Sequence, residues 1–321
     1  MSMAEIAGSG RFFVYLNIDP FPTAWAAYRG QMCSASSMGT DEFRPIAYWP
    51  YGLLKRVASG SKSSLLRLEK EFALERVRRE QYGYQVSRLH GIYLWESEED
   101  AIRCEPKWRD KEGQHFEQDQ LVEVEFSYTN RSRVDTQWID HYVLNDAEPL
   151  DRCDLGWAHA YWKGERWNIT PHWEILVEGR GWILGTSHRM KAFERIEDGW
   201  PHVVGQLELA RLAAEIDSDL YNIAPYAFQP APDVVRIAST IDVRDDNESF
   251  MQRVGNYIRT LDKSHVNGRA LELLRPGILR TPDLRDLAFD FDATCLSSED
   301  QACFPRVLST RDAMPWGRQT S

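Results

Sequence analysis

The sequence predicts an α+β protein with a mixed N-terminal part and a mainly helical C-terminal part. Short β-rich segments alternate with a long amphipathic helix before residue 200, and apolar residues recur at helical spacing after it. Hydrophobic residues make up 43% of the 321 residues, which is typical of a folded globular protein. The composition shift separates residues 11–200 from residues 201–321.

The first elements follow from composition and hydrophobic spacing. After a flexible leader of ten residues, the β-rich stretch Arg11–Ile18 indicates the first strand. Pro, Gly and Ser dominate much of residues 20–63, in which Ser59–Ser63 is predicted to be a loop. Apolar residues on one face predict a helix over Ser63–Tyr82, in which Glu75 and Arg79 form a favourable i,i+4 pair.

Two further strands are predicted after the long helix. His90–Trp95 indicates a strand, and the acidic turn that follows it begins a short helix ending at Arg103. Leu121–Tyr128 alternates apolar and acidic residues, which predicts a half-exposed strand with Glu123 and Glu125 facing water.

The remaining elements include a short helix over Trp138–Leu144 and two strand segments within residues 170–184, around Gly179. Helical spacing then appears in three segments beyond residue 200, which are Val203–Asn222, Ser249–Leu261 and Val266–Leu274.

Charge and cysteine usage bound the function classes. A net charge of -11 disfavours broad non-specific binding to phosphate backbones or anionic membranes. The five cysteines form no Cys-x-x-Cys pair and the eight histidines show no metal-ligand spacing, so no metal site or disulfide framework is predicted. The absence of a signal-peptide pattern and of a long apolar run predicts a cytoplasmic protein without a membrane span.

Glu174 lies within a short apolar strand pattern, Pro171–Gly179. Because side chains alternate along a strand, Ile175 and Val177 share one face while Glu174 and Leu176 share the other. An unpaired buried carboxylate is costly, so Glu174 is either a residue with chemistry to perform or a surface carboxylate that protects an edge strand from aggregation.

The segment Leu287–Leu296 contains a second acidic pattern. It mimics the Asp-x-Asp-x-Thr nucleophile strand of haloacid-dehalogenase-type phosphatases. Few residues remain after Thr294 for the other motifs of that fold, so Asp290 and Asp292 are predicted to be surface carboxylates or a cap.

Four segments occur together in a defined order. They are the strand Phe12–Leu16, the Glu- and Arg-rich helix segment Glu71–Arg78, the Ser-Arg-Leu strand Ser87–Glu96 with Ala101 after it, and the strand Glu174–Val177. As a series over residues 11–185, they resemble the ADP-ribosyltransferase superfamily. The resemblance is greater to its bacterial toxin–antitoxin and phage-defence transferases, and to a related family of uncharacterised bacterial proteins.

The resemblance implies both a fold and a reaction. The fold is a split β-sheet core that holds NAD between two small sheets. The reaction cleaves the nicotinamide–ribose bond and transfers ADP-ribose to a macromolecular acceptor, either protein or nucleic acid. A toxin or antiviral defence effector of this kind can have a neutralising antitoxin protein as partner, and residues 201–321 would then bind the target or the partner.

The resemblance also implies roles for individual residues. Glu174 would be catalytic, because a fixed carboxylate stabilises the positive charge that develops on the ribose. Tyr93 would stack on the nicotinamide ring. Arg88, with Ser87 beside it in the NAD site, would hold the pyrophosphate.

The first strand departs from the pattern of the family. Many members hold the adenine-side ribose there with a His or an Arg, whereas this chain has Tyr15 and Asn17, of which Asn17 can donate a hydrogen bond. A catalytically inactive transferase-like fold that binds a nucleotide or a partner is therefore the alternative. An unrelated structural or phage-associated protein is the third possibility, in which Arg88 is an ordinary salt-bridge partner and Tyr93 a core residue.

Overall fold

Two antiparallel β-sheets with helices packed against them form the part of the chain that the computed structural model describes, namely residues 5–38, 45–104, 117–145, 149–151, 153–216, 220–241, 248–260 and 282–306. The strands are β1 (Glu5–Tyr15), β2 (Gln31–Cys33), β3 (Ile92–Leu94), β4 (Leu121–Asp135), β5 (Trp173–Ile183), β6 (Ile223–Ala231), β7 (Val234–Ile241) and β8 (Phe289–Asp292). The α-helices are α1 (Phe21–Arg29), α2 (Tyr48–Ala58), α3 (Lys62–Gln81), α4 (98–104), α5 (Gly156–Trp162), α6 (Ser187–Gly199), α7 (Val204–Ala214), α8 (Glu248–Thr260) and α9 (Ser298–Gln301). The protein is therefore α+β, as the sequence predicts.

The larger sheet has the strand order β1-β4-β5-β2, and β3 also pairs with β5. All of these pairings are antiparallel. Just after β3, Trp95 exchanges two backbone hydrogen bonds of 2.9 Å with Phe13 of β1. Strands β1, β4, β5 and β3 therefore close on one another at this end of the sheet.

Strand β5 separates two hydrophobic clusters. Ile175 and Val177 pack in the cluster that includes residues of α1, α6 and α7, whereas Leu176 packs in the cluster that includes residues of α3 and α5. The alternation predicted for this strand is confirmed. Glu174 consequently lies on the face of the sheet that α3 and α5 cover.

Helix α3 confirms the prediction of a long helix and lies between two cores. The side chain of Ser61 caps its first turn by accepting a hydrogen bond from the Ser64 backbone. Leu68 and Phe72 pack towards the second sheet, and Leu74 packs towards β5. The helix therefore buries two sides, which places some of its charged residues in the interior.

Strand β4 and the elements around it agree with their predictions. Residues Val122, Val124, Phe126 and Tyr128 are buried while Glu125 is exposed. The predicted short helix before Arg103 is α4, and the helix predicted over Trp138–Leu144 is a π-helix over Ile139–Val143. The predicted strand segments around Gly179 are one continuous strand, β5.

Strand β1 begins before the predicted start at Arg11. Its first residues, predicted to be a flexible leader, pair with β4, with Gly8 opposite Tyr128 and Gly10 opposite Phe126. A Cβ atom on Gly8 would lie 2.5 Å from the Tyr128 hydroxyl oxygen, so the small residue makes room for the ring. The strand forms because of this pairing and not because of local β propensity.

Helices α1 and α2 lie in residues 20–63, where the sequence predicted no helix. Helix α1 has Pro22 in its first turn, and it is followed by Gly30, whose φ of 77° is left-handed. These are ordinary start and stop signals, but they stand among other Pro and Gly residues that indicate loops.

The prediction of a mainly helical C-terminal region is also corrected, because the second sheet, in the order β6-β7-β8, lies there. The helix predicted over Val203–Asn222 ends at Ala214, the prediction over Ser249–Leu261 is confirmed by α8, and Val266–Leu274 lies outside the described residues. Strand β6 is apolar on both faces, a pattern that periodicity does not distinguish from a buried helix.

The hydrophobic clusters run across residue 200, the predicted boundary. Leu207 and Ala210 of α7 pack in the same cluster as Trp25 of α1. Val235 of β7 packs in the same cluster as Phe72 of α3. The region after residue 200 thus shares its core with the N-terminal part. Among the described residues, no helix combines the length and apolar character that crossing a bilayer requires.

Gly179 marks an irregularity between β4 and β5, where the register shifts between Tyr128 and Asn130. Its φ is 146°, and a Cβ atom would lie 2.2 Å from the backbone oxygen of Ser127. Its backbone also exchanges hydrogen bonds of 2.9 Å with Ser34. This position therefore requires glycine for both its conformation and its space.

We expect Gly179→Ala to lower the free energy of unfolding by more than about 2 kcal/mol, because a left-handed backbone conformation and a backbone clash both oppose the methyl group. Urea denaturation measures this. Gly60→Ala is the matched control, since Gly60 has a φ of 84° but nothing within 4 Å of the new Cβ. Equal losses in both variants would contradict the steric argument.

Candidate functional site

The backbone before β5 is held in place by the buried carboxylate of Asp135 at the end of β4. This carboxylate accepts hydrogen bonds from the backbone N–H groups of Gln137, Trp167 and His172, at 3.1, 2.9 and 3.0 Å. The connection into β5 is therefore tied to β4, which sets the register that places Glu174 opposite Val134.

Glu174 is fully buried, with 0% of its surface exposed. Neither of its carboxylate oxygens accepts a hydrogen bond from the described residues, and Arg88 Nη1 lies 3.6 Å from Oε2. Strand β5 has β4 on one side and β2 and β3 on the other. The alternative of a surface carboxylate on an edge strand is therefore wrong.

Arg88 is buried beside Glu174, and its guanidinium group is held by other residues. Nε and Nη2 donate to the carboxylate of Glu71 at 3.0 and 3.2 Å, and Nη1 donates to the hydroxyl of Tyr161 at 2.9 Å. The backbone carbonyl of Arg88 accepts hydrogen bonds from Trp49 Nε1 at 2.8 Å and from the Tyr93 hydroxyl at 2.9 Å. Both ends of the residue are thus fixed.

Tyr93 lies against the same cation. The guanidinium carbon of Arg88 is 4.9 Å from the centre of the Tyr93 ring, and Trp49 meets this ring edge-on at a centroid distance of 5.9 Å. Ser87 donates a hydrogen bond to Glu75 at 3.0 Å. The structure therefore brings Glu174, Arg88 and Tyr93 together, and Ser87 is oriented towards α3.

The first-strand residues lie in a different environment. The Tyr15 hydroxyl donates to the backbone oxygen of Ala101 at 3.2 Å, and its ring packs against Trp95. Asn17 accepts a hydrogen bond from the Asp19 backbone in the turn after β1. Tyr15 belongs to the hydrophobic cluster that contains Cys104, whereas Glu174 and Arg88 face α3 and α5.

The electrostatic environment of Glu174 favours its neutral form. Burial raises the pKa of Glu174 from 4.5 to about 8, Arg88 opposes this rise, and the negative charges of Asp140 and Glu71 add to it. Burial alone would lower the pKa of Arg88, but Glu71 raises that pKa well above its ordinary value. The site therefore contains a permanently charged arginine beside a carboxylate that holds its proton near neutral pH.

The charge of Glu174 also acts on the thiol of Cys104 in α4. Burial raises the pKa of Cys104 to about 12, a hydrogen bond with Trp95 opposes the rise, and the charges of Glu174 and Asp140 add to it. The thiol is consequently neutral at physiological pH. It contributes no charge to the surroundings of Glu174.

Four residues of the site were not predicted from the sequence, namely Glu71, Trp49, Tyr161 and Asp140. The spacing along the predicted helix indicates that Glu71 is buried, because Glu71 lies on the same face as the apolar residues Leu68 and Phe72. A carboxylate at such a position needs a buried partner. The identity of that partner was not readable from spacing along the chain.

Comparison with known proteins adds one match. Residues 53–192 match the model of a family described as "Protein of unknown function (DUF2441)". The matched segment contains Glu71, Arg88, Tyr93 and Glu174, and it excludes β1 with Tyr15. No curated protein matches the chain.

The ion pair between Arg88 and Glu71 predicts a large stability effect. We expect Glu71→Ala to lower the free energy of unfolding by about 3–5 kcal/mol, because it leaves a buried guanidinium without its carboxylate. Asp290→Ala is the matched control, since Asp290 forms a similar two-bond pair with Arg236 on the exposed surface. The control should cost at most about 1 kcal/mol. Equal costs in urea denaturation would show that burial does not matter here.

The raised pKa of Glu174 predicts a specific dependence of stability on pH. Above pH 4.5 the unfolded chain loses this proton, while the folded protein keeps it up to a pH of about 8. The contribution of Glu174 to the free energy of unfolding is therefore largest below pH 4.5. It falls by about 1.4 kcal/mol per pH unit above that, until Glu174 loses its proton in the folded protein. We expect Glu174→Gln to remove this slope and to be more stable than the wild type at pH 8.

Glu178→Gln is the control for this measurement, because Glu178 is half-buried on the same strand. This variant leaves Glu174 in place, so the slope assigned to Glu174 should remain. Parallel curves for the wild type and Glu174→Gln between pH 5 and 8 would contradict the assignment of the slope to Glu174.

Proposed function

We propose that the protein is an NAD-dependent ADP-ribosyltransferase that acts as a toxin or anti-phage defence effector. It cleaves the nicotinamide–ribose bond and transfers ADP-ribose to a protein or nucleic acid. The observation that carries the proposal is Glu174, a fully buried carboxylate without hydrogen-bond donors among the described residues, on a central strand beside Arg88 and Tyr93. The family resemblance assigns a role to each of these three residues.

The chemistry suits an unpaired carboxylate. Cleavage of the nicotinamide–ribose bond develops positive charge on the ribose ring, as in glycoside hydrolysis. A carboxylate whose oxygens accept no other hydrogen bond from its described neighbours can accept one from a ribose hydroxyl and can stabilise that charge. A low-dielectric environment strengthens this interaction. Glu174 would do this work in its ionised form, which a nearby cation favours.

The fit of NAD to the remaining residues requires a rearrangement. Arg88 already donates to Glu71 and Tyr161, so holding the pyrophosphate would mean exchanging these partners. The Tyr93 ring has the guanidinium group over it and would have to release it to stack on nicotinamide. Glu174 is completely enclosed, so the ribose reaches it only after the covering side chains move. Arg88 is accordingly proposed to orient the site before it contacts a ligand.

The same observations favour a second candidate, a catalytically inactive transferase-like fold that binds a nucleotide or a partner protein. An enclosed Glu174 and a fully engaged Arg88 suit a structural network as well as a resting active site. The first strand also has Tyr15 and Asn17 where many transferases have His or Arg. In either case, residues 201–321 are proposed to bind the acceptor or a neutralising antitoxin.

Labelled NAD distinguishes the two candidates. Purified protein is incubated with it and a cell lysate, and both nicotinamide release and the labelled fraction are followed. We expect nicotinamide release that falls by about 100-fold or more in Glu174→Gln, since a preorganised charge is lost at the reacting centre. Glu178→Gln, on the same strand, should retain it. The labelled fraction then identifies the acceptor as protein or nucleic acid.

Three outcomes would contradict the proposal. Binding of NAD without any nicotinamide release would support the inactive fold. Release that is equal in the wild type and in Glu174→Gln would remove Glu174 from the chemistry. If NAD neither binds nor raises the thermal unfolding temperature, the chain is unrelated to NAD-using proteins.

A further inference from the structure

Arg88 lies near two buried carboxylates, Glu71 and Glu174, and forms hydrogen bonds with only the first. Glu71 receives two hydrogen bonds from the guanidinium group, at 3.0 and 3.2 Å, in the parallel geometry that is strongest for this pair. Glu174 has only a 3.6 Å contact with Nη1, and the nearer acceptor for Nη1 is the Tyr161 hydroxyl at 2.9 Å. Both carboxylates are shielded from water.

The Arg88 guanidinium group donates hydrogen bonds to only one of these two carboxylates. Glu174, which receives none, is driven to its neutral form by desolvation and by repulsion. Helix α3 carries Glu71 and presents it to Arg88.

We infer that Glu71 is a positioning residue that sets the charge of Glu174 through Arg88, keeping Glu174 neutral until a cation enters the site. Ionisation of Glu174 then releases one proton to solvent, and the cation balances the new negative charge. The inference rests on the proposed function only for the identity of that cation, the positively charged nicotinamide–ribose part of NAD. The ionisation of Glu174 itself is measurable without turnover.

The groups that act electrostatically on Glu174 come from several elements. Arg88 lowers its pKa, whereas Asp140 of the π-helix and Glu71 of α3 raise it after the larger effect of burial. Neutral or cationic groups of the same surroundings are Arg67 of α3, Tyr93 of β3, Cys104 of α4 and Tyr161 of α5. Of the two carboxylates that act on Glu174, Glu71 is the one that also occupies Arg88.

The test is a pH titration of the protein carrying carboxyl-labelled glutamate, followed by NMR, with the Glu174 signal assigned by its loss in Glu174→Gln. In Glu71→Gln we expect the Glu174 midpoint to fall by about one pH unit or more, since Arg88 then has no other anion. Glu75→Gln is the matched control. Glu75 is also buried on α3, but its partners are Arg78 and Ser87 and not Arg88, so its removal should leave the midpoint unchanged.

Tyr161→Phe provides a second, milder variant if Glu71→Gln does not fold. It deletes only the hydroxyl that accepts from Nη1, which then can donate to Glu174, so the midpoint should again fall. An unchanged Glu174 midpoint in the folded variants would overturn the inference. A fall in Glu75→Gln as large as that in Glu71→Gln would overturn it as well.

The activity measurement is kept separate from the titration. Where the wild type releases nicotinamide, the acidic limb of its pH profile should move with the Glu174 midpoint in Glu71→Gln and in Tyr161→Phe. A profile that stays in place while the midpoint moves would overturn the positioning role. A wild type that releases no nicotinamide refutes the proposed function, and the NMR titration still decides whether Glu71 controls Glu174.

Discussion

The arrangement of the candidate site depends on the buried guanidinium group of Arg88. The guanidinium group donates hydrogen bonds to Glu71 of α3 and to Tyr161 of α5. The backbone carbonyl of Arg88 accepts hydrogen bonds from Trp49 of α2 and from Tyr93 of β3. A buried cation is tolerated only where its hydrogen bonds are made. Four elements therefore have to be in place at once, and the residue that joins them also faces Glu174 on β5.

Glu174 shares this environment but lacks comparable partners. Burial without a hydrogen bond from the described residues raises its pKa to about 8, so the folded protein carries a carboxylate whose ionisation costs stability near neutral pH. A glutamine or an apolar residue would avoid that cost. Groups held in an unfavourable charge state are typical of functional sites, where the strain is released by substrate or by a reacting centre. This is why Glu174 supports a functional role more strongly than any other carboxylate of the described residues.

Elements governed by local spacing were predictable from the sequence. Apolar residues recur at helical spacing along α3 and alternate along β4. The alternation along β5 predicted that Glu174 faces away from the side that carries Ile175 and Val177. The failures have a common cause. Helix α1 has its Pro and Gly signals within a loop-like composition, β1 begins in residues with little β propensity, and β6 is apolar on both faces. Local spacing does not reveal these elements, because β1 depends on its pairing with the distant strand β4, and the burial of α1 and β6 depends on packing against other elements.

By itself, the sequence determined that Glu174 stands in a strand with an apolar face and that a charged helix precedes it. The prediction of a strand that begins at Ser87 is wrong for Arg88, which lies in a turn, because β3 begins only at Ile92. The tertiary structure alone decided that Arg88 pairs with Glu71, 17 residues before it, and only borders Glu174. Periodicity reports which side of an element is apolar, because that side repeats along the chain. It carries no information about which two apolar sides meet, and the packing of α3 against β5 is what brings both Glu71 and Glu174 next to Arg88.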